Sequence, residues 1–234
     1  MAAEQGQVRE VRQGLFSRLF SLFSRILGVL IISLILSILF EWIGITWFWP
    51  DEGYRHSQQM MLTEISWFTS DFTQSLLHTS PHGFAEYVIT QVHEYLFVKT
   101  GLARWLEAQH AHGSMSYYVY FYARAYIESI IYVTITFIIR VLIIVFTSPL
   151  FLLAAIVGLT DGLVRRDIRR FGYGYESSFI YHHAKRTVFP ILTVAWMIYL
   201  AIPFSVHPNF ILIPAAILLG LAISITSASF KKYL

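Results

Sequence analysis

Two ionisable residues stand deep inside long apolar runs, Glu41 in the first run and Arg140 in the second. An unpaired charge in hydrocarbon is costly, so such a residue pairs, reaches for the interface, or serves a path for protons or ions. Counted along a helix, Glu41 stands about 24 Å above Arg25 and Arg140 about 31 Å above Asp161, so their heights roughly match. Two structural readings follow: an ion pair that packs the first two spans together, or separate snorkelling of each residue toward the outer interface. One pair does not make a relay, which argues against conduction.

Other chemistries find less support. The chain has nine histidines. His78, His82 and Glu86 are spaced four and four, but Pro81 and Gly83 interrupt the helix that would align them, and neither His110 nor His112 completes a specific zinc pattern. No metal and no cofactor are expected. A buried serine nucleophile at Ser33, Ser37 or Ser224 would need a base, and the apolar runs hold no histidine to supply one. Asp161 lacks an intramembrane aspartate with which to share a proton, and there is no phosphate-binding glycine loop. With no cysteine, thiolate metal sites, disulfides and cysteine catalysis are excluded. The chain does not read as an enzyme.

The clearest interaction signal lies between Asp161 and Arg186, which holds six of the seventeen Lys and Arg residues. Arg165, Arg166, Arg169 and Arg170 form two doublets four residues apart, interleaved with Leu163, Val164, Ile168 and Phe171. On a helix the doublets sit one above the other, until Gly172 and Gly174 allow a return. With Tyr173, Tyr175, Lys185 and Arg186 they make the expected partner-binding surface. Guanidinium groups grip carboxylates or phosphates, so an acidic protein, lipid headgroups and DNA phosphates are all chemically admissible. Topology control with lipid contact is the simplest use. Direct nucleic-acid binding is disfavoured, because one short cluster against a membrane makes a poor footprint. His182 and His183 fit a membrane-surface helix capped by Ser177 or Ser178.

Those residues must be positioned by membrane helices. The 234 residues are 56% hydrophobic and only 13% charged, against about 25% charged in a soluble domain. Several runs reach the roughly 20 apolar residues a spanning helix needs, and the long Ile/Leu/Val blocks do not alternate as barrel strands would. The expected fold is an all-α integral membrane protein with four transmembrane helices and an extracytoplasmic helical hairpin between the first two. Residues 1–25 form a basic, amphipathic cytoplasmic segment. Residues 26–49 form the first span, an uncleaved signal anchor whose Trp42, Trp47 and Trp49 fit the outer aromatic belt.

Residues 50–125 form the periplasmic helical region, where seven acidic and four basic residues lie between Asp51 and Arg124. One helix there is outlined by Met60, Met61, Ile65, Phe68, Phe72, Leu76 and Leu77, and a second by residues from Phe84 to Leu106. Residues 126–160 form a long helix containing the second span. Residues 161–186 are the cytoplasmic basic and aromatic loop, and 187–204 and 210–230 are the third and fourth spans. Every basic cluster then falls on one side, with both termini cytoplasmic in a bacterial inner membrane. In the last span, Ala216, Gly220, Ser224 and Ala228 repeat every four residues, a stripe that admits a close helix from the third span or from another subunit. With the extended second helix, that stripe also allows a homo-oligomer.

The run Asp161-Gly162-Leu163-Val164-Arg165-Arg166-Asp167-Ile168-Arg169-Arg170-Phe171-Gly172, continued by Glu176 to His182 and by Ala184-Lys185-Arg186, resembles a family of integrating-conjugative-element membrane proteins grouped under a domain of unknown function. The resemblance implies an inner-membrane protein of a conjugative type IV secretion system for DNA transfer, working beside the coupling ATPase and other membrane subunits of the apparatus. It carries no catalytic role onto any residue. The expected function is therefore a non-enzymatic scaffold or docking subunit in contact with membrane lipids. A channel or transport component formed by an oligomer is the alternative, and an intramembrane enzyme the distant one.

Overall fold

A computed structural model describes residues 15–71, 114–171 and 178–230, together with scattered positions between 83 and 101 that include a π-helical turn, Glu94–Lys99. The expected helix from Phe84 to Leu106 and the first fourteen residues lie outside the described residues, apart from those positions. Five α-helices make up the rest: α1 (Leu15–Trp47), α2 (Tyr54–Asp71), α3 (Ser114–Phe171), α4 (Ser178–Ala201) and α5 (Asn209–Ala228). The protein is all-α and multi-span in character. Three helices contain stretches long and apolar enough to cross a membrane: Phe23–Trp47, Ala123–Arg169 and Asn209–Ala228.

α1 stops where Pro50 follows three aromatic residues. The amide N–H groups of Phe48 and Trp49 both donate to the Gly44 carbonyl, and the Trp49 indole then lies where a side chain on residue 44 would be. Gly53, at φ +54°, lets the chain reverse into α2 at little steric cost. α2 packs along α3 and meets α1 through His56 and Glu41. Its Tyr54 stacks on Tyr132, its Glu64 meets Arg140 and its Phe68 meets Phe146.

α3 is 58 residues long. It passes through Pro149 and on beyond Asp161, so the first arginine doublets belong to a helix rather than to a loop. Its Ile131, Ile135, Ile139 and Ile143 form one fully buried edge at four-residue spacing, packed with Leu200 of α4 and Leu212 of α5. α4 begins at Ser178, well before the span expected from residue 187, and runs antiparallel to α3 with Trp196 edge-on to Phe151. α5 runs parallel to the lower part of α3.

The small residues of α5 face α3, not the third-span helix α4 as one reading had it. Gly220 lies against Ala154 and Gly158, and Ser224 against Gly162. A Cβ on Gly158 would collide with the Gly220 carbonyl, and one on Gly162 would press on Ser224. Backbones can approach this closely only when both surfaces are small. Replacing Gly158 or Gly220 by Leu is therefore expected to destabilise the fold by about 1–3 kcal/mol or more. Gly28, with nothing within 4 Å of an added Cβ, should accept Ala without loss. Thermal unfolding in detergent measures this, and an unchanged midpoint for G158L would contradict the packing.

Candidate functional site

Arg140 lies 1% exposed in the centre of the bundle, and its five N–H donors can all be accounted for. Nε donates to both oxygens of Glu64 at 2.9 Å. One terminal nitrogen donates to the Ile202 carbonyl at 2.6 Å and to that of Leu200 at 3.4 Å. The other donates to Glu64 and, at 3.1 Å, to the Phe204 carbonyl. Those carbonyls are open for a local reason: α4 ends at Ala201 and Pro203 follows, so the last turn of the helix lacks N–H partners. The guanidinium sits at the negative end of the α4 dipole, with the Tyr199 ring 5.6 Å away.

Glu64 is itself 1% exposed. Burial pushes its carboxyl above the ordinary range, while the Arg140 charge and hydrogen bonds pull it back down. At the rim, His207 of the α4–α5 turn faces Asp71 at 3.5 Å and lies against Trp67, so the same turn holds the end of α2.

Glu41 and Arg140 do not pair with each other; both are buried, and each has its own partner on α2. Glu41 is fully buried and faces His56 Nδ1 at 3.2 Å, with Trp49 stacked on the imidazole at 4.0 Å between ring centres. α2 thus supplies the partner of each ion, His56 for Glu41 and Glu64 for Arg140. Sequence reasoning placed Met60, Ile65 and Phe68 on the inner face of this helix and passed over Glu64. Ser57, Met60, Glu64 and Phe68, the buried residues of α2, have the same spacing, and a carboxylate within that stripe was the signal.

The four arginines separate in use. Arg169 reaches across to α5, donating to the Ala228 carbonyl and, at 3.4 Å, to that of Phe230, where it meets the helix C-terminus. Arg165 Nε faces both Asp161 oxygens, Oδ1 at 3.1 Å and Oδ2 at 3.0 Å, and Oδ2 also accepts from the Ser224 hydroxyl of α5. Arg166 lies 3.8 Å from Asp167. Arg170 ends the doublets on the helix, though its side chain lies outside the described residues, as do Tyr173, Tyr175 and the cap candidate Ser177. Phe171 is 94% exposed, and Lys185 and Arg186 are exposed on α4. His78, His82, Glu86, His110 and His112 also lie outside the described residues. Among those described, no three His, Asp or Glu side chains gather as a metal site.

Such an arrangement defines a multi-span membrane protein whose buried ionisable groups fasten helix to helix, with a basic and aromatic helix tip left on its surface. The chain belongs to the family described as IncC plasmid conjugative DNA transfer protein DtrJ-like, whose model matches residues 48–231. It is thus a membrane protein of conjugation and type IV secretion, and a transfer protein rather than an enzyme. No curated protein and no solved structure matches the chain. The matched residues take in α2 to α5, and with them the whole Arg140 cluster.

Removing one partner of a buried ion pair leaves the other charge stranded, typically at a cost of about 3–5 kcal/mol. Glu64→Leu and Arg140→Met are each expected to lose that much, while the double variant loses clearly less than the sum. Glu41→Leu combined with Arg140→Met should be close to additive. A double-mutant cycle of unfolding in detergent reports both; coupling of residue 140 to residue 41 and not to residue 64 would refute the pairing.

Proposed function

We propose that the chain is a scaffold or docking subunit of a conjugative type IV secretion apparatus in the bacterial inner membrane. Its four helices α1, α3, α4 and α5 each cross the bilayer, both termini lie in the cytoplasm, and α2 packs at the outer side. α4, at 24 residues or about 36 Å, is long enough to cross. Lys185 and Arg186 at its start lie on the same side as the arginine doublets, which the positive-inside rule assigns to the cytoplasm.

The observation that carries the docking reading is the state of the α3 tip. Arg169 pins it to the end of α5, yet Phe171 stands almost wholly free and Arg165 remains 63% exposed. An aromatic ring beside forked cations on a held helix is well suited to anchor an acidic protein surface, since little ordering entropy is lost on binding. The family's place in DNA transfer favours the coupling ATPase as that protein.

Replacing Arg165, Arg166 and Arg170 by Gln and Phe171 by Ala, with Arg169 left in place, should lower recovery of the coupling ATPase several-fold in mild-detergent copurification. Insertion and yield should not change. Equal recovery with this neutral tip would defeat the docking assignment.

A further inference from the structure

Arg25 stands just inside the stretch of α1 that is long and apolar enough to cross a membrane. Its guanidinium carbon lies 5.4 Å from the centre of the Phe189 ring on α4, so the starts of the two helices meet at one level. Around α4, Lys185 is set about 40° to one side of Phe189 and Arg186 about 60° to the other, so both share the face that Arg25 overlies. Side chains on a helix lean toward its N-terminus, which carries these two cations past Phe189 toward the end of the bundle. Arg25, Lys185 and Arg186 are all exposed. Their charge is not balanced. α4 contains no Asp or Glu, and the one carboxylate of α1 is Glu41, about four turns away and held by His56. Among the described residues, no carboxylate pairs with any of the three. Apolar surface continues from the cations: Ile32 shares the Arg25 face of α1 and is 51% exposed, and Phe189 is 42% exposed.

We propose that the junction of α1 and α4 is a binding site for an anionic glycerophospholipid, its phosphate held by Arg25, Lys185 and Arg186 and an acyl chain lying along Ile32 and Phe189. Three cations without a carboxylate call for an anion, and a guanidinium matches phosphate oxygens in a fork. Charge alone would admit a soluble acidic protein or free phosphate, but either would leave Ile32 and Phe189 without an apolar neighbour. A lipid at the edge of the hydrocarbon supplies both surfaces in one molecule, which decides the occupant. Headgroups that carry their own ammonium already offset the phosphate, so the site favours phosphatidylglycerol over phosphatidylcholine. Bound there, the lipid ties α1 to α4 through its headgroup, next to the contact that Arg25 already makes with Phe189. The site rests on α1 and α4 crossing the bilayer as proposed above, and it is independent of any protein docked at the α3 tip.

Native mass spectrometry of the full-length protein in mild detergent, with phosphatidylglycerol and phosphatidylcholine added in equal amounts, tests this. The unaltered chain should retain phosphatidylglycerol several-fold over phosphatidylcholine. R25Q/K185Q/R186Q should retain the two alike, whereas R165Q/R166Q, which removes cations from α3, should keep the preference. Equal retention by the unaltered chain would overturn the site without recourse to any variant. So would a preference that survives in the triple variant, or one lost equally in R165Q/R166Q. Displacement of the lipid by glycerophosphoglycerol, the same headgroup without chains, at equal concentration would overturn the acyl contact, and a bound acidic protein in place of lipid would name another occupant. Alkaline carbonate extraction separates the underlying reading: a chain released from membranes would refute the spanning helices and the site together. A chain that stays inserted and shows no lipid preference would refute the site alone.

Discussion

A guanidinium cannot lie dry inside a helical bundle unless every N–H finds an acceptor, and Arg140 meets that condition by drawing three parts of the chain together. α2 brings the carboxylate, the frayed end of α4 brings carbonyls, and α3 carries the cation itself. The requirement works in both directions. Glu64 would be an uncompensated buried charge without Arg140, and the carbonyls of Leu200, Ile202 and Phe204 would lose their guanidinium donor. Much of the half of the molecule around α2 follows from this mutual need, including the position of a helix too polar to hold its place through apolar burial alone.

The opposite end of the bundle depends on different physics. There the contact between α3 and α5 is a close approach of backbones through Gly158, Gly162 and Gly220, and polar groups are used at its end, where Asp161 accepts from Ser224 and Arg169 meets the α5 carbonyls. Small residues transmit position well but offer no specificity of charge. Charge is left to the surface, where Arg165 on α3 and Lys185 and Arg186 on α4 remain exposed. A bundle cross-braced by ions at one end and closely packed at the other is a stiff mount for such a surface, which suits a conjugative transfer protein.

The sequence made the apolar helices legible through run length, and it singled out Glu41, Arg140 and the Ala216–Ala228 stripe, all of which occupy helix interfaces or their ends. It misread their partners. Matching heights along two separate helices pointed to Glu41 with Arg140, but height says nothing of which other residues stand nearer, and α2 supplied His56 to one and Glu64 to the other. Likewise the stripe on α5 announced a close neighbour without naming it, although Gly158 and Gly162, four residues apart, were the matching half. The helix end at Phe171 was legible from Gly172 and Gly174, whereas the reach of Arg169 to the end of α5 was not, since it depends on where α5 packs. The resemblance carried by the arginine run did point to conjugation, the system to which the family belongs.

Met60, 4% exposed, lies on α2 beside the Arg140 guanidinium, and accessibility there reads the hub directly. With Met60 replaced by Cys in the cysteine-free chain, maleimide labelling of intact membranes should be slow when Arg140 is present and fast in an Arg140→Leu background, because α2 leaves the bundle. Equal protection in both backgrounds would mean that α2 is held by something other than this arginine, and the account built on it would fail.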